Sequence, residues 1–210
     1  MKKKKIVIFG NGNQCKIIKQ EIQKRHNLKI LAIYDYYDDR IILSKEFNKK
    51  INLKSFSKID AITAVGDNKN RQSLVKIVEK KFKKCNWITL ISKDSIIAKN
   101  VKIGVGTVIV SGAVINTNSS IGDHCIINTS SSIDHDTKIG NFSTISPKAT
   151  LAGNVKIGNN VFIGMSSSIK EKVCVNNNAI VGAMSFVNRD CVKNCTYFGI
   201  PARKIKKNKS

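Results

Sequence analysis

The sequence predicts two unlike halves, an α/β domain with a parallel sheet and then a parallel β-helix. Three observations carry this prediction. Every sixth residue from 97 to 187 is Ile, Leu or Val, sixteen positions in succession. The residue two places before each step is small or β-branched, from Val101, Thr107 and Ala113 to Val173, Ala179 and Ser185. The first 92 residues instead alternate short apolar runs with stretches of helical spacing.

Lys5-Ile-Val-Ile-Phe9 carries a continuous apolar run from Ile6, as a strand buried on both faces requires. Gly10-Asn-Gly-Asn-Gln14 reads as a turn, and Cys15 to Arg25 carries helical spacing through Ile17, Ile18 and Ile22. Lys29 to Tyr34 predicts a second strand, ending at Asp35. Ala61 to Val65 predicts a third, which ends at Gly66-Asp-Asn68 and leads into a helix over Arg71 to Lys83. Trp87 to Ile91 is the last expected strand. This βαβ alternation predicts a small Rossmann-like domain over residues 1–92, with ligands at the carboxyl ends of its strands.

Beyond residue 92 the period is six, which neither an α-helix nor a simple alternating strand sustains. A β-helix of hexapeptide repeats does, with three hexads to a coil, the step residue filling the interior and the small residue fitting the corner. Gly104, Gly122, Gly140, Gly158, Gly164 and Gly182 directly follow step residues, so unusual backbone angles are expected there. The helix is expected over 93–190, with a capping segment and basic tail over 191–210. The period leaves its handedness open.

Composition narrows the function classes. No apolar run approaches the ~20 residues of a membrane span. The apolar stretch after Lys2 to Lys5 is only Ile6 to Phe9, shorter than the roughly 7–15 residues of a secretory core. A cytoplasmic protein without a membrane span is expected. The six cysteines include no C-x-x-C pair, so reduced thiols are expected. A net charge of +23 attracts polyanions, yet only five of the 37 basic residues are arginine. The lysines are spread along the chain without aromatic partners, which argues against a nucleic-acid partner. The same positive field would draw in phosphorylated small molecules.

Three histidines are present, His26, His124 and His135. His26 lies in a helix-to-strand connection and reads as a surface residue. His135 follows Ile133 by two residues, where side chains turn away from the interior, within Ser130-Ser-Ser-Ile-Asp-His-Asp136. A neutral imidazole is a suitable base near neutral pH, and an adjoining carboxylate fixes its tautomer and raises its basicity. Asp134 and Asp136 are both candidates, but adjacent side chains on a strand point to opposite faces, so contact needs a local turn. On spacing alone His135 fits a general base and an ordinary exposed histidine equally. Two histidines in the repeat fall short of a three-histidine zinc site, so no metal is expected. Gly10 to Gln14 is half of G-x-G-x-x-G with Cys15 in place of the third glycine, which argues against a standard NAD site. The N–H groups opening the next helix could still hold a phosphate. Asp35 is placed to accept a hydrogen bond from a ribose or sugar hydroxyl.

Together these features resemble the hexapeptide sugar acyltransferases, which join a Rossmann-like domain to a left-handed β-helix. That group includes the bacillosamine-pathway UDP-4-amino-sugar N-acetyltransferases, the perosamine-type N-acetyltransferases and the sialic acid O-acetyltransferases. The resemblance spans nearly the whole chain. It rests on Ile6-Val-Ile-Phe-Gly-Asn-Gly-Asn13, Val65-Gly-Asp-Asn68 with Arg71, Ile127 to Asp136, Leu151 to Gly158 and Phe198-Gly-Ile-Pro-Ala-Arg203. It implies acetyl-CoA as acyl donor, a nucleotide-sugar or sugar acceptor, and a homotrimer with active sites between subunits.

By this resemblance His135 is the general base and Asp136 raises its basicity. Gly153, eighteen residues on, leaves room for the pantetheine arm, and Thr144, Met165 and Ala183 fall at other acyl-donor contacts. Gly12, Asn13, Gln14, Asp35 and Gly66 line the nucleotide-sugar site. Two positions depart from the pattern. Many N-acetylating members carry a second histidine where this chain has Thr144, and Gly-His is common where it has Asn13-Gln14. N-acetylation of a UDP- or dTDP-linked amino sugar is the first expectation, and O-acetylation of a sialic acid or related sugar the second. A non-catalytic β-helix scaffold or binding protein is the reading of another class.

Overall fold

The computed structural model describes residues 3–38, 40–45 and 58–208. The chain divides into two units, Met1–Thr89 and Leu90–Ser210.

In the first unit the elements run β1 (Lys4–Phe9), α1 (Asn13–Gln23), β2 (Leu28–Tyr37), β3 (Arg40–Leu43), β4 (Ile59–Thr63), α2 (Asn68–Lys81) and β5 (Cys85–Trp87). The sheet order is β3-β2-β1-β4-β5. Only β3 runs antiparallel to its neighbour. Ile6, Val7, Ile8 and Phe9 are fully buried, as the central strand of a parallel sheet demands. Ile18 and Ile22 of α1, and Leu74, Val75 and Val78 of α2, form the buried faces of the two helices. Strand order reverses at β1, which places a crevice at the carboxyl ends of β1 and β4. The second strand departs from expectation. It continues past Tyr34 to Tyr37, the chain passes Asp38 at φ 45°, and β3 pairs back along Tyr34 to Tyr37. Tyr36, Tyr37, Ile41 and Ile42 have the aromatic and β-branched side chains that suit such a hairpin.

The second unit is a left-handed parallel β-helix. Two-residue strands recur every six residues from Ile96–Ile97 to Phe186–Val187, and the second residue of each is a step residue. Each strand pairs in parallel with the one eighteen residues on, as Ile115 with Ile133 and Ile133 with Leu151. Step residues such as Ile115, Ile127, Ile133, Ile145, Leu151 and Ile163 are completely buried. The helix begins one hexad earlier than expected, because Leu90–Ile91 pairs with Val108–Ile109. Trp87 to Ile91 looks like one apolar run, yet the chain changes unit after Thr89 rather than after residue 92.

From Thr107 to Ser185 the small residues before each step are buried too, and their hydroxyls are satisfied. Ser143 Oγ donates to the Gly158 carbonyl at 2.8 Å and accepts from the Val161 N–H at 3.0 Å. Thr107, Ser119 and Ser167 repeat this double contact, linking each coil to the next.

Glycines after step residues serve a different purpose from the one expected. Positive φ falls three residues after the step, at Asn100, Asn118, Asp136 and Asn154 with φ of 63°, 58°, 57° and 60°. A Cβ at Gly122, Gly140 or Gly158 would instead strike the Oδ1 of Asn141, Asn159 or Asn177 in the next coil. Those carboxamides accept from the N–H of Asp123, Asn141 and Asn159 at 2.9, 2.8 and 2.8 Å. The glycines therefore make room for an asparagine ladder.

At the far end Cys195–Gly199 pairs with Ile180–Val181 and then with Ala202–Lys207. That last strand is a sheet edge on which Lys204, Lys206 and Lys207 are exposed. Charge of this kind discourages further strand pairing.

Candidate active site

The corner after Ser132–Ile133 carries His135 and its two neighbouring carboxylates. Asp136 takes the positive φ of its hexad, and this is the local turn that adjacent side chains need in order to meet. His135 Nδ1 lies 2.8 Å from Asp136 Oδ2. Asp134 faces elsewhere, its Oδ1 accepting from the His135 N–H at 2.8 Å and from Asn116 Nδ2 at 3.0 Å. Asp136 is thus the partner of the imidazole, and Asp134 braces the backbone. The hydrogen bond that His135 donates to Asp136 raises the His135 pKa, slight desolvation opposes it, and the charges of Asp134 and Asp136 add to the rise. The Asp134 pKa is lowered by the His135 N–H and then by Asn116. An imidazole donating from Nδ1 to a carboxylate leaves Nε2 as the basic nitrogen, and the side chain is half exposed.

This geometry fixes the sign of a pH effect. A general base works in its neutral form, so its pKa sets the acid limb of the rate profile. Asp136→Asn removes the charge that raises this pKa. The acid limb should move to lower pH, and the plateau should fall by less than the about 10²–10⁴-fold value of the base. An acid limb that stays in place would show that Asp136 does not tune the histidine.

Gly153 lies one coil beyond His135, and the Asn154 N–H donates to the His135 carbonyl at 2.9 Å. A Cβ on Gly153 would stand 2.7 Å from both Cε1 and Nε2 of His135. The space that this glycine leaves is taken up by the imidazole. His124 lies on another corner, 4 % exposed and stacked on Phe142 with ring centroids 5.1 Å apart.

Met165 and Ala183 share a third corner, one coil apart, and Met165 is exposed. A single chain does not bring them to His135. Thr144 lies on the strand between the corner of His124 and that of Met165, and is 5 % exposed.

In the first unit Gly12 caps α1 with no side-chain hydrogen bond. A Cβ at Gly12 or Gly66 would meet nothing within 4 Å, so packing does not demand either glycine. Gly10, at φ 104°, does face a demand: a Cβ there would stand 2.8 Å from the Ala64 carbonyl oxygen. That close approach joins the turns after β1 and β4, so Gly12, Asn13, Gln14 and Gly66 lie at the carboxyl ends of these two strands. Gln14 Nε2 is buried with no hydrogen-bond partner among the described residues. Asp35 is corrected by the hairpin: it is not the end of its strand but lies within β2, opposite Ile42. Sequence reasoning gave Arg71 no role, although it is 1 % exposed in the first turn of α2. A cation among the apolar positions of a helix was the available signal. No three His, Cys, Asp or Glu side chains converge among the described residues, and no helix there is long and apolar enough to cross a membrane.

Comparison with known proteins agrees with this architecture. Residues 5–78 match the PglD N-terminal domain model, and residues 154–189 match the bacterial transferase hexapeptide model of six repeats. Compared with curated protein sequences, the chain finds no match. Among solved structures, PerB from Caulobacter crescentus in complex with CoA and GDP-perosamine is 27% identical, with a TM-score of 0.85 over 97% of this chain and 98% of that one. The acetyltransferase domain of PglB from Neisseria gonorrhoeae in complex with acetyl coenzyme A is 26% identical, with a TM-score of 0.80 over 97% of this chain and 100% of that one. WeeI from Acinetobacter baumannii shares the fold at 22% identity, with a TM-score of 0.76 over 96% of this chain and 100% of that one. Two matched domain models in the expected order, and a fold held in common over nearly the full length of these chains, bear out the resemblance to the hexapeptide-repeat sugar acetyltransferases.

Proposed function

We propose that the protein transfers the acetyl group of acetyl-CoA to the amino group of a nucleotide-linked amino sugar, with His135 as general base. The observation that carries this reading is the 2.8 Å contact of His135 with Asp136 at an exposed corner of the β-helix. The CoA and GDP-perosamine bound by PerB support the choice of donor and acceptor class. The sugar nitrogen attacks the thioester carbon, His135 Nε2 takes the proton that the nitrogen loses, the C–S bond breaks, and the departing sulfur is protonated. Gly12, Asn13, Gln14 and Gly66 would hold the nucleotide-sugar, and Thr144, Gly153, Met165 and Ala183 the acyl donor. Asp35 would reach a sugar or ribose hydroxyl only from within its strand. His135 and Met165 stand on different corners, so a homotrimer that sets the corner of one subunit against the next would complete the donor site.

O-acetylation of a sialic acid or related sugar is the second reading. It is favoured by Thr144, which stands where many N-acetylating members of the family carry histidine. The test is CoA thiol release from acetyl-CoA with UDP-, dTDP- and GDP-linked 4-amino sugars and with free sialic acid. Release with an amino-sugar nucleotide supports the first reading, and release with sialic acid alone supports the second. No release with any acceptor would overturn both in favour of a non-catalytic scaffold.

A further inference from the structure

Arg71 is an unusual residue for its position. The start of a helix carries partial positive charge and favours anions, yet this guanidinium is buried in the first turn of α2. Its Nη1 donates to the Val65 carbonyl at 3.1 Å and to the Gly66 carbonyl at 2.9 Å. Its Nη2 donates to the buried Asn68 Oδ1 at 2.9 Å. The Asp67 carboxylate accepts from the Asn70 N–H at 2.8 Å and closes the turn from the other side.

A trans peptide holds its C=O and the following N–H on opposite sides of the chain. Drawing the carbonyls of Val65 and Gly66 onto Arg71 therefore turns the N–H groups of Gly66 and Asp67 the other way. Neither N–H makes a backbone hydrogen bond among the described residues. A Cβ on Gly66 would meet nothing within 4 Å, so the space beside these groups is open. The turn sits at the carboxyl end of β4, one side of the crevice where the strand order reverses.

We infer that Arg71 is a positioning residue, which aims the Gly66 and Asp67 N–H groups at the phosphates of the nucleotide-sugar. The inference rests on the proposed acceptor, and it names the part of that acceptor which the β4 turn recognises. Lysine cannot fork to two carbonyls and a carboxamide. Arg71→Lys should therefore raise KM for the nucleotide-sugar about tenfold or more, the worth of one hydrogen bond to a charged group. KM for acetyl-CoA and kcat should stay unchanged. The preference for a nucleoside diphosphate over the bare nucleoside, measured by calorimetry, should shrink by the same factor. A merely structural arginine would lower Tm and leave that preference intact.

Asp67→Pro is the second variant, because the Asp67 φ of −66° already suits proline and the change deletes one of the two N–H groups. It should reproduce the KM effect even if Arg71→Lys does not fold. Asp67→Ala, which loses the same carboxylate cap but keeps that N–H, is its control and should leave KM unchanged. Wild-type protein that turns over no nucleotide-sugar would defeat the proposed function. Wild-type turnover together with unchanged KM and diphosphate preference in both variants would defeat this inference alone.

Discussion

His135→Ala should lower turnover by about 10²–10⁴-fold, the usual worth of a positioned general base. The fold should be unaffected. The imidazole is half exposed, and its removal returns the Asp136 carboxylate to water rather than leaving it buried. Exposed substitutions of this kind usually stay within about 0.5 kcal/mol. Steady-state thiol release with the best acceptor, set beside Tm, separates lost chemistry from lost structure. Turnover equal to wild type would remove His135 from the mechanism and leave it an ordinary surface histidine.

Gly153→Ala should produce a comparable loss by an indirect route. The added Cβ would stand 2.7 Å from Cε1 and Nε2, closer than unbonded atoms tolerate. What it strikes is the tip of an exposed side chain, so the ring yields and the coil does not. Tm should hardly change, while the ring swings away from Asp136. Misplacing a catalytic group by ~1 Å can cost about 10²-fold. If Gly153 instead serves the pantetheine arm, as the family resemblance implies, alanine should raise KM for acetyl-CoA and leave kcat and its acid limb untouched. Adding Gly153→Ala to His135→Ala distinguishes the two routes. A residue that acts through the imidazole has nothing further to remove once the imidazole is gone.

Much of the fold was legible because the β-helix has one residue-size rule and repeats it. Sixteen apolar steps gave the strands, their register and the core, whereas the buried hydroxyls of the intervening serines and threonines emerged only from the structure. What escaped was the interaction between coils. Gly122 looks like a residue chosen for its backbone freedom until Asn141 of the next coil is seen to occupy its missing Cβ. The start of the helix was hidden because Trp87 to Ile91 is apolar but for Thr89, and pairing partners rather than hydropathy assign Leu90–Ile91 to the second unit. The β2–β3 hairpin was missed because Asp35 read as the end of the strand, whereas the chain turns only at Asp38.

The candidate site was less legible for a related reason. His135 was visible as a residue type, but its partner could not be chosen between Asp134 and Asp136. The choice depends on a positive φ that recurs at hexad corners and is taken by residues as unlike as Asn118, Phe142, Lys148 and Met184, so residue type alone does not mark it. Arg71 was hidden more deeply. Its role lies in which way two peptide groups face, and no single side chain records that.

The hydroxyl and asparagine ladders tie each coil only to the coil before and the coil after. Such a stack behaves as a one-dimensional chain of nearest neighbours. Its cheapest fluctuations are losses of end coils, and the free energy needed to open a given coil grows with its distance from either end. His135 and Gly153 belong to coils with others stacked on both sides. Fraying that loosens the first and last turns would leave the corner that carries the imidazole still closed.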